Sequence, residues 1–438
     1  MGVAGGGVGA AEPEIVVGNR EHLWFLLTEA SQLEHMIMCQ YLYAEFSLKS
    51  GTEEGLTPEQ ADAVERWRKT IRGIAVQEML HMALVANLMA AIGAAPTFGR
   101  PNFPQRSGLY FPSTIRLDLL PFGESALRHA LFLERPEGLQ LQDAADFGPA
   151  APLQAPMAAW EPMPRPQEFA TIGHFYRGIA AGFGHLCDRL GEPAVFVGPP
   201  RAQATPELFR WPSILAVTDL ASARAAIEEI IEQGEGAQGD WRNAHYGRFL
   251  AITEEYEDLR RRDPSFEPAR PVLPAHTRQP YGVVEPQVLV TDREAAAVAE
   301  LASIGYELVL HLLTRYFTHT DETDEQLGVL VGTAIGVMTR VVRPLATALT
   351  SLPVGPEHPG RTAGFAFGMY YTMSNYVPAR EPSWALLHER MRLLAHRCGE
   401  LARSDCIPDA AAPAGASASH FADTLAAHVP ASMLPRRG

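Results

Sequence analysis

No stretch of the 438-residue chain reaches 18 uninterrupted apolar residues, which argues against a membrane-spanning segment. Cysteine is scarce. Cys39, Cys187, Cys398 and Cys406 lack the paired spacing of a thiolate metal site, and they read as reduced thiols of a cytoplasmic protein. The start, Met1 to Ala11, is rich in glycine but has neither the basic region nor the apolar core of a secretory signal. Position 6 is glycine, which excludes myristoylation, and no Gly-Lys-Ser/Thr follows a strand to cradle a phosphate. Positive charge is also in deficit. With 36 Lys and Arg against 51 Asp and Glu, the net charge of -15 speaks against nucleic acid and anionic membrane as partners. The remainder, 47% hydrophobic and 20% charged, is that of a globular protein long enough for two or three domains.

Apolar periodicity places the long segments in helices, so the fold class is all-α. Helices are expected near 19–49, 58–93, 167–190, 220–233, 241–262, 291–318, 322–351 and 382–404. Ser125 to Glu134 reads as a short helix or strand, and the Ala/Pro-rich run from Ala144 to Pro166 as irregular. This divides the chain into a disordered N-terminus (1–18), a helical bundle (19–262), a Pro-rich connector (263–289), an accessory helical region (290–405) without an intervening sheet, and a loose tail (406–438).

Two helices carry polar residues where packing alone would not put them. From Ile71 to Ala91 the positions Ile71, Ile74, Ala75, Met82, Val85 and Leu88 form one apolar stripe, and Glu78 and His81 lie within it. Upstream, Leu23, Leu27, Ala30, Met38 and Leu48 form another, which takes in Glu34, Tyr41 and, less firmly, Glu45; His35 falls about 100° away at its edge. A carboxylate buried without a partner costs several kcal/mol, so it must be neutralised, paired or bound to a cation. One Glu followed by a Glu-x-x-His on the next helix is half of a carboxylate-bridged di-metal site in a four-helix bundle.

The other half is sought downstream. His245 heads the stripe Phe249, Ile252, Tyr256 and Leu259, and is therefore an inward histidine. Glu235, between Gly234 and Gly236, lies nearer the buried face of its helix than Glu232, which reads with Glu228 and Glu229 as solvated. In 167–190, His174 shares a face with Gly178 and Ala181, small residues that could admit a close neighbour or a ligand; His185 reads as a hydrogen-bonded structural histidine. The candidate metal ligands are thus Glu34, Glu78, His81, His174, Glu235 and His245, with Tyr41 and His174 as candidate catalytic residues.

These motifs resemble the ferritin-like iminophenyl-pyruvate dimer synthase domain family, which includes domains of chromopyrrolic acid synthases and of the related violacein-pathway enzyme. The resemblance is carried by Glu34-His35, Tyr41-Leu42-Tyr43, Glu78 to Met82, Ala91 to Gly93, Leu133 to Glu137, Ile172 to Tyr176, Glu232 to Gly236, His245 to Phe249 and Thr362 to Gly364, over roughly residues 20 to 405. It implies a ferritin-like metal-binding bundle at 19–262 and oxidative chemistry on amino-acid-derived imines or amines in specialised metabolism. Glu34, Glu78, His81, Glu235 and His245 fall where the family's ligand residues fall. The chain departs at His174, where an acidic residue is expected, and at Phe365-Ala366-Phe367-Gly368, a pocket wall where a Pro and an acidic residue are expected. Dimer synthases of this type also carry a large haem-binding region; about 15 residues precede the bundle here, so haem chemistry is not expected.

Carboxylates and imidazoles without thiolate suit Fe2+, or manganese, at one or two ions per chain, whereas a closed zinc site would use cysteines. A His174 ligand would make the site less anionic, favour the divalent state and leave a single-metal site open. Aromatic walls from Tyr41, Tyr43, Phe175, Tyr176 and His245 suit a small amino-acid-derived substrate, with molecular oxygen as co-substrate. Whether the chain forms a homo-oligomer stays open. The leading expectation is a non-haem metal-dependent oxidoreductase; the alternatives are a metal-storage relative, disfavoured without a means of forming a cage, and a non-catalytic scaffold or metal-binding protein.

Overall fold

The computed structural model describes residues 13–105, 115–147, 155–236, 241–318, 321–371, 378–404 and 407–434. The chain forms two compact units and passes between them more than once. The first takes in 1–94, 104–200 and 213–269; the second takes in 95–103, 201–212 and 270–438.

The first unit is built on α1 (Arg20–Ser47) and α2 (Pro58–Ala91), which pack along each other. Asn19 caps α1 by accepting from the His22 N–H at 2.9 Å, and Thr57 with Gln60 forms a capping box at α2, where Pro58 supplies the preset φ of a first helical residue. α3 (Glu124–Leu133), α4 (Ile172–Leu190), the short α5 (Glu192–Val195), α7 (Leu220–Gly234) and α8 (His245–Arg262) complete it. Its core is aromatic at one end: the Trp67 ring stacks on Phe122 at 5.2 Å and meets Tyr256 edge-on, while its indole N–H donates to Glu255 at 2.7 Å.

The second unit contains the short α6 (Pro206–Phe209), α9 (Arg293–Thr318), α10 (Asp324–Val337), α11 (Arg343–Leu349), α12 (Arg380–Leu401) and α13 (Pro408–Ala426). A π-turn at Met338–Val342 interrupts the single stretch expected over 322–351. Arg315 is fully buried in α9, where it pairs with Glu322 and donates to Asp321 at 2.7 Å and to the Pro378 carbonyl at 2.6 Å.

Four features differ from the sequence reading. Val272–Ala275 (β1) and Thr362–Phe365 (β2) pair in parallel, so the connector contains a strand, and Thr362 to Gly364 lie in its partner. The tail carries α13: Ala411, Ala414, Ala418, Phe421, Ala422 and Leu425 are buried, an alanine stripe that composition alone presents as low complexity. Pro58–Ala91, Arg293–Phe317 and Asp324–Leu349 are long and apolar enough to cross a membrane, because scattered polar residues shorten the uninterrupted runs without lowering the mean hydropathy of 1.4 to 1.5; their apolar windows are 83%, 72% and 56% buried within the molecule. His185 is exposed. Residues 1–12, Cys406 and 372–377 lie outside the described residues.

Candidate metal centre

Four of the six candidate ligands converge within the first unit. α1 supplies Glu34, α2 supplies Glu78 and His81 one turn apart, and α8 supplies His245 as its first residue. A fifth donor, Glu134, caps the C-terminus of α3, its N–H bonded to the Ala130 carbonyl at 3.0 Å. Helix cannot easily continue through Arg135 because Pro136 follows, so α3 stops where its last carboxylate faces the cluster. Arg135 holds this turn by donating to the carbonyls of Phe132 and Ala170.

The geometry is organised around Glu78. Its Oε2 lies 2.9 Å from His81 Nδ1 and its Oε1 lies 3.0 Å from His245 Nδ1. Glu34 Oε2 is 3.4 Å from His81 Nδ1, and Glu134 Oε2 is 3.5 Å from His245 Nδ1. The two outer carboxylates are each held by a tyrosine. Tyr176 donates to Glu34 Oε1 at 2.5 Å, and Tyr41 donates to Glu134. Tyr41 was expected beside Glu34; its partner is Glu134, and the hydroxyl at Glu34 comes from α4. His81 Nε2 sits 3.3 Å from Gln233 Oε1, an acceptor that turns Nδ1 toward the carboxylates.

All five donors are at least nine-tenths buried, and the charges tune one another. Burial pushes the Glu34 carboxyl up to about 7 against the pull of His81. Burial also pushes Glu78 up, but the imidazoles of His245 and His81 outweigh it and hold this carboxyl well below the usual range. The same pairing raises both histidines above their ordinary values, although burial opposes it. Burial, then the charge of Glu134, raises the Tyr41 hydroxyl; burial, then Glu34, raises Tyr176.

Glu34, Glu78 and His81 each offer a donor atom within 4.8 Å of the others, as do Glu78, Glu134 and His245. Glu78 Oε1 and both nitrogens of His245 are buried without an aligned hydrogen bond among the described residues, although Oε1 and Nδ1 are close. Two oxygen-and-nitrogen triads that share a carboxylate, with no thiolate, fit a divalent first-row ion in each. These residues could therefore hold metal.

His174 and Glu235 are not brought to this cluster. His174 donates from Nε2 to the Pro13 carbonyl at 2.9 Å, and its Nδ1 is 3.4 Å from Glu137. The space beside Gly178 is taken by the chain itself: a Cβ there would lie 2.4 Å from Ile15, and one at Gly182, next to Ala181, 2.4 Å from Val17. Glu235 caps α7, accepts from the Glu137 N–H at 2.9 Å and pairs with Arg177. It rests on Gly173, where a Cβ would lie 2.1 Å from its Oε1. Glu235 and Glu134 nevertheless line one cavity of about 20 Å³, together with Tyr176. Glu45, left open as an inward carboxylate, is buried and paired with Arg72. Of the expected aromatic wall, Tyr41, Tyr176 and His245 are at the cluster; Phe175 stacks on Phe169 at 4.3 Å, and Tyr43 points about 200° round the helix from Tyr41.

A family model for ferritin-like proteins matches residues 27–254. The chain is 28% identical over 418 residues to the dichlorochromopyrrolate synthase of Lentzea aerocolonigenes, an alignment covering 86% of this chain and 39% of that protein. It is 28% identical over 355 residues to the 2-imino-3-(indol-3-yl)propanoate dimerase of Chromobacterium violaceum, covering 77% and 33%. It thus spans between a third and two fifths of the length of these two enzymes. The crystal structure of a ferritin-like protein from Caulobacter vibrioides, 19% identical, aligns over 72% of this chain and 94% of that one with a TM-score of 0.46. With the family model spanning more than half of its length and the carboxylate and imidazole cluster inside that span, the chain belongs to the ferritin-like family.

Proposed function

We propose that the protein is a non-haem, iron-dependent oxidoreductase acting on a small amino-acid-derived imine or amine in specialised biosynthesis. The observation that carries this reading is the buried arrangement of Glu78 between His81 and His245, flanked by Glu34 and Glu134. The names of the two relatives, a dichlorochromopyrrolate synthase and an imine dimerase, supply the substrate class. Iron held by these residues would supply one-electron chemistry and activation of oxygen.

The chain's own residues set the terms of that chemistry. Glu78 presents one oxygen to each triad, and Glu34 and Glu134 close the two ends. Tyr41 and Tyr176 keep the outer carboxylates oriented, and each holds a proton at its hydroxyl beside the centre because burial and adjacent negative charge oppose its loss. The apolar faces of α1, α2 and α8 keep water from the cluster.

The test is oxygen consumption by iron-loaded protein supplied with 2-imino acids freshly generated from aromatic amino acids. Substrate-dependent uptake that is lost in Glu78→Ala is expected. Equal uptake by wild type and Glu78→Ala, or no uptake with any such imine by fully loaded protein, would overturn the reading.

A further inference from the structure

The helices around the cluster do not close it evenly. Between the end of α3, the start of α4 and the end of α7 lies the cavity of about 20 Å³, lined by Ile172, Ile230 and Ile231 with two carboxylates, Glu134 and Glu235, among them. Its inner wall belongs to the cluster. Glu134 Oε2, the oxygen 3.5 Å from His245 Nδ1, also lies 3.5 Å from a Cβ built on Gly234, and Gly234 lines the cavity. Tyr41 holds Glu134 through the other oxygen, so Oε2 takes no hydrogen bond of ordinary length among the described residues. Tyr176, whose hydroxyl holds Glu34, lines the same space.

The outer wall is Glu235, the residue after Gly234. Its carboxylate rests on Gly173, accepts from the Glu137 N–H at 2.9 Å and pairs with Arg177. The Arg177 side chain is 44% exposed and donates to Glu137 at 2.7 Å, so this network lies at the surface of the first unit. One carboxylate thus stands next to solvent and another at the metal centre, and both border one water-sized space.

Size and chemistry narrow what this space passes. A pocket for an amino-acid-derived substrate takes roughly 300 Å³ or more, far beyond what is present. Dioxygen is small enough, but carboxylates do nothing to draw it in. A divalent ion gains from both, because an ion entering so small a space sheds its waters and needs protein oxygens to replace them. The guanidinium of Arg177 opposes a cation at the outer wall, so the ion and Arg177 compete for Glu235.

We propose that this cavity is the passage by which a divalent metal ion reaches the cluster: Glu235 takes the ion from solvent in exchange for Arg177 and passes it to Glu134 Oε2, next to His245. Glu235 is then a transfer site and not a resident ligand, which accounts for a buried carboxylate that lines the cavity without joining the cluster. The inference rests on the reading that the cluster holds metal, and it concerns the rate of loading, not the final affinity.

The test follows association of cobalt(II), a redox-stable divalent ion, with metal-free protein by stopped-flow visible absorption, alongside equilibrium titration of the same samples. Glu235→Gln should slow association by on the order of 10-fold at low ionic strength and leave the equilibrium affinity within about twofold. Arg177→Ala should accelerate association several-fold, since it removes a charge that opposes the cation. Both effects should shrink in about 0.5 M salt. Gly234→Ala sets a methyl group in the cavity against Glu134 Oε2, at ordinary contact distance, and should slow association at any ionic strength. Wild-type rates in Glu235→Gln or in Gly234→Ala, or slowing in Arg177→Ala, would overturn the passage and leave the metal centre standing. Failure of the wild type to bind cobalt at equilibrium would overturn the metal-centre reading, and the passage with it.

Discussion

His81 and His245 face each other across Glu78, with rings 5.5 Å apart and inclined by 28°, each reaching a different oxygen of the one carboxylate. The arrangement draws on two helices far apart in the chain, and Glu78 is its common member. Which carboxylates complete it is open to direct experiment.

Glu134→Ala should weaken binding of ferrous iron by at least on the order of 10- to 100-fold, as should Glu78→Ala. Glu235→Ala and His174→Ala should leave it within about twofold, because these side chains are held by Arg177 and by the Pro13 carbonyl. Elemental analysis of purified variants after anaerobic loading and dialysis distinguishes the two groups, and an iron-free His174→Ala protein would restore that residue as a ligand.

Metal should bind more tightly as pH rises. In the metal-free protein Glu34 is pushed up to about 7 by burial, and His81 and His245 are raised by the charge of Glu78 against the effect of burial. All three ligate in the deprotonated form, so protons compete with the ion below these values and are released when it binds. Titration calorimetry in buffers of different ionisation enthalpy should detect net proton release at pH 6.5, and affinity should increase from pH 6 to pH 8. An affinity that falls over this interval would contradict the electrostatics of the cluster.

Gly173→Ala should destabilise the first unit by about 1–3 kcal/mol, because the new methyl group meets the Glu235 carboxylate. Glu235→Ala introduced alongside should recover much of that loss. Urea unfolding of the two single variants and the double variant measures the coupling, and strict additivity would show that the contact is relieved elsewhere.

In the second unit, Arg315→Met should cost about 3–5 kcal/mol by stranding the buried Glu322, and Arg315→Met with Glu322→Leu should cost far less. Trp384 reports the site, since its indole N–H donates to Glu322 at 3.3 Å, so the part of the tryptophan fluorescence that Trp384→Phe removes follows this region during denaturation.

Much of this was legible in the residues. Glu34, Glu78 and His81 stand out because a helix interior repeats every 3.6 residues, so a polar side chain on the apolar stripe is committed to the core. His245 is legible for the same reason, as the head of a stripe. Glu134 is not: it is the residue after the last turn of α3, and the direction of a terminal side chain is set by how the chain leaves the helix. The Arg135-Pro136 stop was the available signal. Glu235 and His174 sat equally well on their own helices, but Arg177 and the segment around Pro13 lie too far away in sequence for periodicity to register them. The helix in the tail was hidden by composition, since an alanine-rich stripe buries well without looking hydrophobic.

The way the chain divides between its two units has a consequence for the order in which it folds during synthesis. Residues 95–103 belong with 270–438, and Arg100 and Asn102 find the carbonyls of Phe367 and Met369, each 267 residues later. At roughly 5–20 residues per second, about 15 to 50 s separate the emergence of these partners from the ribosome. During that interval the segment that follows α2 waits for a template not yet made, while the remaining donors of the carboxylate and imidazole cluster, the last being His245, are translated. The half that carries the cluster can thus begin to assemble on the nascent chain before the other half exists.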